Sequence, residues 1–131
     1  MEALAKLRPA FERAGTVTAG NSSQITDGAV ALMVGDPARF DGEPMARLES
    51  YAYAGCDPVR MGLGPVYAIP KALGRRRLET MEAVEINEAF AAQVVACLKA
   101  MESAEFARDE LDRARPVGRI DPEKLLSLIH I

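Results

Sequence analysis

Asn87 lies between a short β-type run and an Ala-rich helical run, a place where a side-chain amide can do chemistry. Val84 and Ile86 predict a strand that ends just before it, and the following residues predict a helix to about Met101. An asparagine there can accept a hydrogen bond from the first helical turn as its N-cap, and Glu88 suits the positive end of the helix dipole. Two interpretations stay open: Asn87 only caps the helix, or it also faces a cleft.

A second group of polar side chains occupies residues 15–24, a loop rich in glycine and hydroxyl residues. Its two glycines permit close approach of a ligand to the backbone. Ser22 and Ser23 offer hydroxyls that can bind a ligand carrying amide groups. An ordinary polar loop has the same composition, so both interpretations stay open at this point.

Thiol and imidazole groups are scarce, being limited to Cys56, Cys97 and His130. No histidine lies near Cys56 in the sequence and nothing marks it as activated, so we expect it to be structural. Cys97 is expected to pack beside the apolar stripe of its helix. So few ligands predict no metal site, and two isolated cysteines favour reduced thiols in a cytoplasmic protein over a disulfide framework.

The elements predicted in the first half of the chain include one helix and two strands. Residues 2–11 predict either a short helix bent by a proline or a single turn followed by extended chain. Residues 29–34 form a nearly continuous apolar run, as expected for a strand covered on both faces. Residues 48–56 predict a second strand. Between the strands, residues 35–44 combine glycine, proline and acidic residues and form the best internal boundary.

The second half predicts helices. A glycine-punctuated turn at residues 61–64 opens one helix, with Pro65 in its first turn, where a missing N–H costs nothing. The helix after Asn87 carries one apolar stripe, Phe90, Val94, Leu98 and Met101. Residues 102–115 predict a continuing, strongly charged helix with an i,i+4 pair of Asp109 and Arg113.

The composition limits the classes of function. The chain has 131 residues, enough for one domain or a piece of a larger one, and 49% are hydrophobic, enough for a core. A net charge of −3 argues against nucleic acid as a partner. No apolar run approaches the length of a membrane helix, and the first residues lack the pattern of a signal peptide.

Three stretches together resemble the thiolase family in order and spacing: residues 15–29, 61–73 and 85–93. Within the family, the Asn-Ser-Ser-Gln version of the first stretch is more similar to the degradative 3-ketoacyl-CoA thiolases (acetyl-CoA C-acyltransferases) than to the biosynthetic enzymes. The resemblance covers about residues 1–125.

The resemblance implies a layered α/β/α/β/α fold of two similar halves, which places this chain in the α/β class. Residues 1–44 would end the N-terminal half and residues 45–125 would begin the C-terminal half. Residues 126–131 do not match the family pattern and are interpreted as an atypical, foreign or frameshifted tail.

The implied reaction is the cleavage of a 3-ketoacyl-CoA by CoA, giving acetyl-CoA and a shortened acyl-CoA, as in fatty-acid β-oxidation. It proceeds through an acyl-cysteine intermediate, with a histidine activating the nucleophile and a second cysteine moving the α-proton. The implied partners are acyl-CoA and CoA, as substrates without a further cofactor. The complete enzyme would be a homodimer or homotetramer.

Five positions match functional residues of the family. Asn87 corresponds to the asparagine that, through a water and with a histidine, forms an oxyanion hole. Ser23 corresponds to the serine that contacts the pantetheine arm of CoA. Met61, Ala89 and Phe90 correspond to residues lining the acyl and pantetheine pocket, although Phe90 also begins the stripe assigned to the core.

The sequence departs from the family in the groups that carry the chemistry. No residue of this chain represents the nucleophilic cysteine, the histidine of the Gly-His-Pro motif or the second catalytic cysteine, and His130 lacks the flanking glycine and proline. We therefore expect no thiolytic activity from this chain alone. The alternatives are a non-catalytic module that binds acyl-CoA or lipid, and a truncated fragment without function whose unpaired strands prevent independent folding.

Overall fold

The computed structural model describes residues 2–126 of the chain. The helices and strands formed there are α1 (Glu2–Ala5), α2 (Gly64–Leu73), β1 (Val84–Glu85), α3 (Ala91–Glu102), α4 (Ala104–Leu111) and β2 (Leu125–Leu126). Short 3-10 segments lie between them at Ala19–Asn21, Pro37–Arg39, Pro58–Leu63, Leu78–Thr80 and Pro122–Lys124. All but the first residue of the atypical tail, and His130 with it, lie outside the described residues.

The two strands form a small parallel sheet. Val84 of β1 lies opposite Leu125 of β2, and Glu85 lies opposite Leu126. This pairing confirms the strand predicted before Asn87, and the combination of helices with parallel strands confirms the α/β character. The layered α/β/α/β/α arrangement stays a prediction.

The core is built from the second half of the described chain. Nine buried residues form one cluster: Val66, Leu78, Ile86, Val94, Cys97, Ala100, Met101, Val117 and Ile120. Four of them lie on α3, which packs against α2, α4 and the segment Pro58–Leu63. The predicted stripe of α3 is confirmed at Val94 and Met101, and Leu98 packs against the cluster. Cys97 is fully buried within it, as expected.

Helix α2 begins where its sequence predicts, and it ends at a glycine. Asp57 accepts a hydrogen bond from the backbone N–H of Val59 (2.9 Å) and opens the preceding segment, and Pro65 lies in the first turn of the helix. The helix ends at Gly74, whose positive φ of 59° suits a residue without a Cβ atom.

Helix α3 begins later than predicted, so the assignment of Asn87 as its N-cap is wrong. The helix starts at Ala91, and Phe90 before it is extended, with φ −146° and ψ 139°. Ser22 forms an antiparallel bridge with Phe90, and the backbone N–H of Ser23 donates to the carbonyl of Ala89 (2.9 Å). This pairing holds the backbone extended up to Phe90, which prevents an earlier helix start.

The charged helix predicted over residues 102–115 is also shorter. Ser103 is extended and separates α3 from α4, and its hydroxyl accepts from the backbone N–H of Phe106 (3.1 Å) as the N-cap of α4. Because α4 ends at Leu111, the expected i,i+4 pair of Asp109 with Arg113 is not formed. Asp109 is instead paired with Arg108, at 2.7 Å.

The first half of the chain contains less regular structure than predicted. Residues 2–11 adopt the second of the two predicted forms, a single turn followed by extended chain, in which Pro9 bridges to Thr18. The strands predicted at residues 29–34 and 48–56 are not formed within the described residues. A strand requires hydrogen bonds to a neighbouring strand, and the residues expected to be covered on both faces are exposed, Val30 by 88%.

Candidate functional site

Asn87 is presented to solvent from an anchored piece of backbone. It follows β1 in an extended segment in which Ile86 and Glu88 on either side are buried, while Asn87 itself is exposed. Because successive side chains of extended chain point to opposite sides, burial of the two neighbours directs the amide of Asn87 away from the core. The helix cap was predicted wrongly, whereas the prediction that this amide faces a cleft stays a prediction.

The structure brings three of the predicted site residues together. The hydrogen bond from the N–H of Ser23 to the carbonyl of Ala89 joins the loop at residues 15–24 to the segment before α3. Ser22, beside it, pairs with Phe90 and donates its hydroxyl to the carbonyl of Thr18 (2.7 Å). The side chain of Ser23 is exposed next to this junction.

Phe90 lies outside the core cluster. Its half-buried ring makes an edge-on contact with the ring of Phe11, with the ring centroids 5.9 Å apart. Phe90 precedes α3, so it does not begin the buried stripe of that helix. Of the two roles left open for it by the sequence, the core role is wrong, and the pocket role stays a prediction.

Met61 lies on the segment Pro58–Leu63, which packs on α3 close to this junction. The side chain of Met61 is 76% exposed. The next residue, Gly62, touches the helix directly: the Cys97 thiol donates to its carbonyl oxygen at 3.1 Å. Burial raises the pKa of this thiol, so Cys97 keeps the proton that it donates at neutral pH.

The same segment is held from its outer side by a charged group. The guanidinium of Arg60 donates to both carboxylate oxygens of Glu110 on α4, at 3.1 and 3.3 Å, and the hydroxyl of Tyr67 donates to the same carboxylate at 3.0 Å. The hydrogen bonds from Arg60 and then Tyr67 lower the pKa of Glu110. Partial burial first, and then the bond to Glu110, raise the pKa of Tyr67.

An open groove of about 600 Å³ lies between α1 and the loop at residues 15–21. Its lining includes Leu7, Thr18 and Asn21. Thr18 and Asn21 hold the loop by reciprocal bonds, since the side chain of Asn21 accepts from the N–H of Thr18 at 2.8 Å. None of the five predicted site residues lines this groove, so it is a neighbour of the candidate site rather than the site itself.

Two family models match the chain over most of its length. The model of the thiolase C-terminal domain matches residues 42–116, more than half of the chain, and the model of the thiolase N-terminal domain matches residues 1–37. The chain belongs to the thiolase family. This result confirms the resemblance carried by the three sequence stretches.

Individual relatives give the same family at moderate identity. The thiolase chain is 43% identical to the 3-ketoacyl-CoA thiolase of Shewanella sp. (strain W3-18-1), a match that covers 95% of this chain and 30% of that relative. It is 48% identical to the 3-ketoacyl-CoA thiolase of Photorhabdus laumondii, covering 92% and 29%. The chain thus spans about three-tenths of the length of these relatives.

A solved structure of a relative superposes on most of the thiolase chain. Human mitochondrial 3-ketoacyl-CoA thiolase in complex with CoA gives a TM-score of 0.71 at 37% identity. The superposition covers 95% of this chain and 28% of the human one. Over the matched region, the described backbone is therefore similar to that of this thiolase.

Two residues that hold the Met61 segment against α3 were not identified from the sequence. Gln93 and Cys97 on α3 both contact the Met61 segment, through Gly62. Their spacing of four places them on one face of the helix, a signal that the sequence contains. Their partner Gly62 is distant along the chain, so the contact with it could not be predicted from the sequence.

The described residues offer neither a metal-binding cluster nor a membrane-spanning helix. Among residues 2–126, no group of three or more His, Cys, Asp or Glu side chains is arranged to hold a metal ion. No helix within the same residues is long and apolar enough to cross a membrane.

Proposed function

We propose that this chain contributes to a degradative 3-ketoacyl-CoA thiolase, an acetyl-CoA C-acyltransferase of fatty-acid β-oxidation. The reaction is thiolytic cleavage of a 3-ketoacyl-CoA by CoA, giving acetyl-CoA and a shortened acyl-CoA. The names of the relatives from Shewanella and Photorhabdus support this subgroup. An acetyl-CoA acetyltransferase from Chromobacterium violaceum, 39% identical over 98% of this chain, belongs to the same group of matches at lower identity.

The observation that carries the proposal is the position of Asn87. Its backbone is anchored by the buried Ile86 and Glu88, and its amide is exposed. A dipole fixed before the reaction stabilises developing negative charge without reorganising. We assign to this amide, acting through a bound water, a share of the oxyanion hole for the thioester or enolate oxygen.

The proposed substrate-binding residues lie at and near the junction before α3, where the loop at residues 15–24 pairs with the segment that leads into the helix. Ser23 and Ala89 are joined through the backbone, and the aromatic ring of Phe90 is adjacent and half-buried. Met61 lies on the segment that packs against the same helix. We propose that these four residues contact the pantetheine arm and acyl chain, in keeping with the CoA bound to the human relative.

A chimera tests the catalytic role. Residues 2–126 of this chain replace the matching segment of the Shewanella thiolase, which supplies the cysteines and histidine implied by the resemblance. Turnover of acetoacetyl-CoA and longer 3-ketoacyl-CoAs is then measured. We expect activity from the chimera, and a loss of about 10²- to 10³-fold in kcat for Asn87→Ala, the cost of removing one oxyanion donor.

The matched control is Glu85→Ala, which removes an exposed side chain two residues earlier on the same face of the segment. It is expected to leave kcat unchanged. Retention of kcat within about threefold by Asn87→Ala would contradict the assignment, because the Asn87 amide would then not stabilise the transition state. The isolated chain, assayed in parallel, is expected to show no turnover, and saturable CoA binding without turnover in the chimera would favour a non-catalytic module.

A further inference from the structure

One face of α3 holds the segment that carries Met61. The thiol of Cys97 donates to the carbonyl oxygen of Gly62 at 3.1 Å, and the side-chain amide of Gln93 donates to the sulfur of Cys97 at 3.6 Å. Gln93 and Cys97 are one helical turn apart, so the two bonds form a short chain from the first turn of α3 to the Gly62 backbone.

The contact is close as well as polar. A Cβ atom added to Gly62 would lie 2.9 Å from Cγ of Gln93, nearer than two carbon atoms can approach. The segment therefore packs on the helix with its backbone, and a side chain at position 62 would require Gln93 to shift. Cys97 is fully buried, so water does not compete for its bond to the Gly62 carbonyl.

Both ends of this contact reach residues of the proposed site. Gly62 directly follows Met61, and the backbone N–H of Gln93 donates to the carbonyl of Phe90 at 3.0 Å. The Met61 segment is thereby fixed relative to the Phe90 junction by one buried contact. The Arg60–Glu110 pair holds the same segment only from its exposed side.

We propose that Gln93 and Cys97 are positioning residues that set the distance between Met61 and the Phe90 junction, and with it the fit of acyl-CoA. This inference rests on the proposed function, because it takes Met61 and Phe90 as pocket residues. Neither Gln93 nor Cys97 touches the substrate. Both act through Gly62.

The test uses three variants of the full chain. Cys97→Ala removes the donor to Gly62, and Cys97→Ser keeps a hydroxyl donor at the same place. Val94→Ala is the matched control, because it removes buried volume from the same helix and leaves the hydrogen bond from Cys97 to Gly62 in place. Acetyl-CoA affinity by calorimetry and hydrogen–deuterium exchange of residues 61–64 are measured at a temperature where circular dichroism shows all three folded.

We expect Cys97→Ala to weaken acetyl-CoA binding about three- to tenfold, as for the loss of one neutral hydrogen bond, and to speed exchange at residues 61–64. Cys97→Ser should restore the affinity to within about twofold, and Val94→Ala should leave both affinity and local exchange unchanged despite its lower thermal stability. A merely structural role for Cys97 would make the alanine variants at positions 94 and 97 behave alike.

Equal exchange in Cys97→Ala and Val94→Ala overturns the proposal, and so does faster exchange with unchanged acetyl-CoA affinity. Failure of the native chain to bind acetyl-CoA overturns the pocket-setting role in this chain. The chimera assay of Asn87 is independent of that result and continues to decide the proposed function.

Discussion

At the scale of single residues, the neighbours of a side chain determine what it can do. Asn87 was expected to satisfy a helix N–H as the N-cap, yet the helix begins at Ala91 and the cap position is that of Phe90, three residues later. The buried residues on both sides of Asn87 anchor its backbone, and its amide is exposed and points away from the core. A capping amide is occupied by its own backbone, whereas this one is available to a water or a substrate oxygen.

Two methionines with opposite surroundings permit a prediction about stability. Met101 is fully buried in the core cluster, whereas Met61 is 76% exposed. We expect Met101→Ala to reduce the free energy of unfolding by about 2–5 kcal/mol, because it removes buried contacts and leaves a cavity. Met61→Ala is expected to change it by less than about 0.5 kcal/mol.

Urea unfolding followed by circular dichroism measures both variants. A loss for Met61→Ala as large as that for Met101→Ala would contradict the assigned burial. Acetyl-CoA binding provides the complementary measurement, because Met61→Ala should weaken it without a loss of stability.

At the scale of elements, the sequence predicts what local rules determine. Pro65 and Gly74 delimit α2, and the spacing of Val94 and Met101 identifies the buried face of α3. These features depend on residues close along the chain, so they are readable from it. The strand at residues 29–34 was predicted from an apolar run, but a strand also needs a neighbour to pair with.

The candidate site also has a part that the sequence predicts and a part that it does not. Its five residues were proposed from a family resemblance, and their assembly depends on contacts between distant segments. Ser22 pairs with Phe90, and Cys97 bonds to Gly62. No local pattern encodes either contact, and the Ser22 pairing is also what displaced the start of α3. The positions were thus predictable, whereas the means by which they are held were not.

The link between α4 and the Met61 segment predicts a dependence on pH. The hydrogen bonds from Arg60 and Tyr67 lower the pKa of Glu110 below its ordinary value. A carboxylate with a lowered folded-state pKa stabilises the fold above its ordinary pKa, and that contribution is lost as the pH falls through the lowered value. Stability should therefore decline in this acid range, and Glu110→Gln should flatten the decline.

Thermal unfolding measured as a function of pH tests this link. Glu105→Gln, at an exposed position of the same helix, is the control and should keep the native profile. The effect of Glu110→Gln on stability is expected to be small, because exposed ion pairs are screened by solvent and salt. For the same reason, 1 M salt should reduce the difference in stability between the variants. An unchanged acid profile in Glu110→Gln would show that the pair does not tie α4 to the segment.

At the scale of the whole molecule, burial is unevenly distributed. Every member of the core cluster lies between Val66 and Ile120, whereas large apolar side chains from Ile25 to Tyr53 are mostly exposed. We therefore expect the part of the chain that begins near Pro58 to unfold as one cooperative unit. The relatives are about three times longer than this chain, which is consistent with apolar segments that find no cover within residues 2–126.

This distribution predicts the order of proteolysis. Trypsin should cut at the exposed Arg47 at least about tenfold faster than at Lys99. Backbone outside the helices and the core reaches the protease without unfolding, whereas a cut in α3 requires the core to open. Mass spectrometry of timed digests gives the order. Digestion in urea is the control, since unfolding should bring the rates together. Equally fast native cleavage at Lys99 would mean that α3 belongs to no stable core.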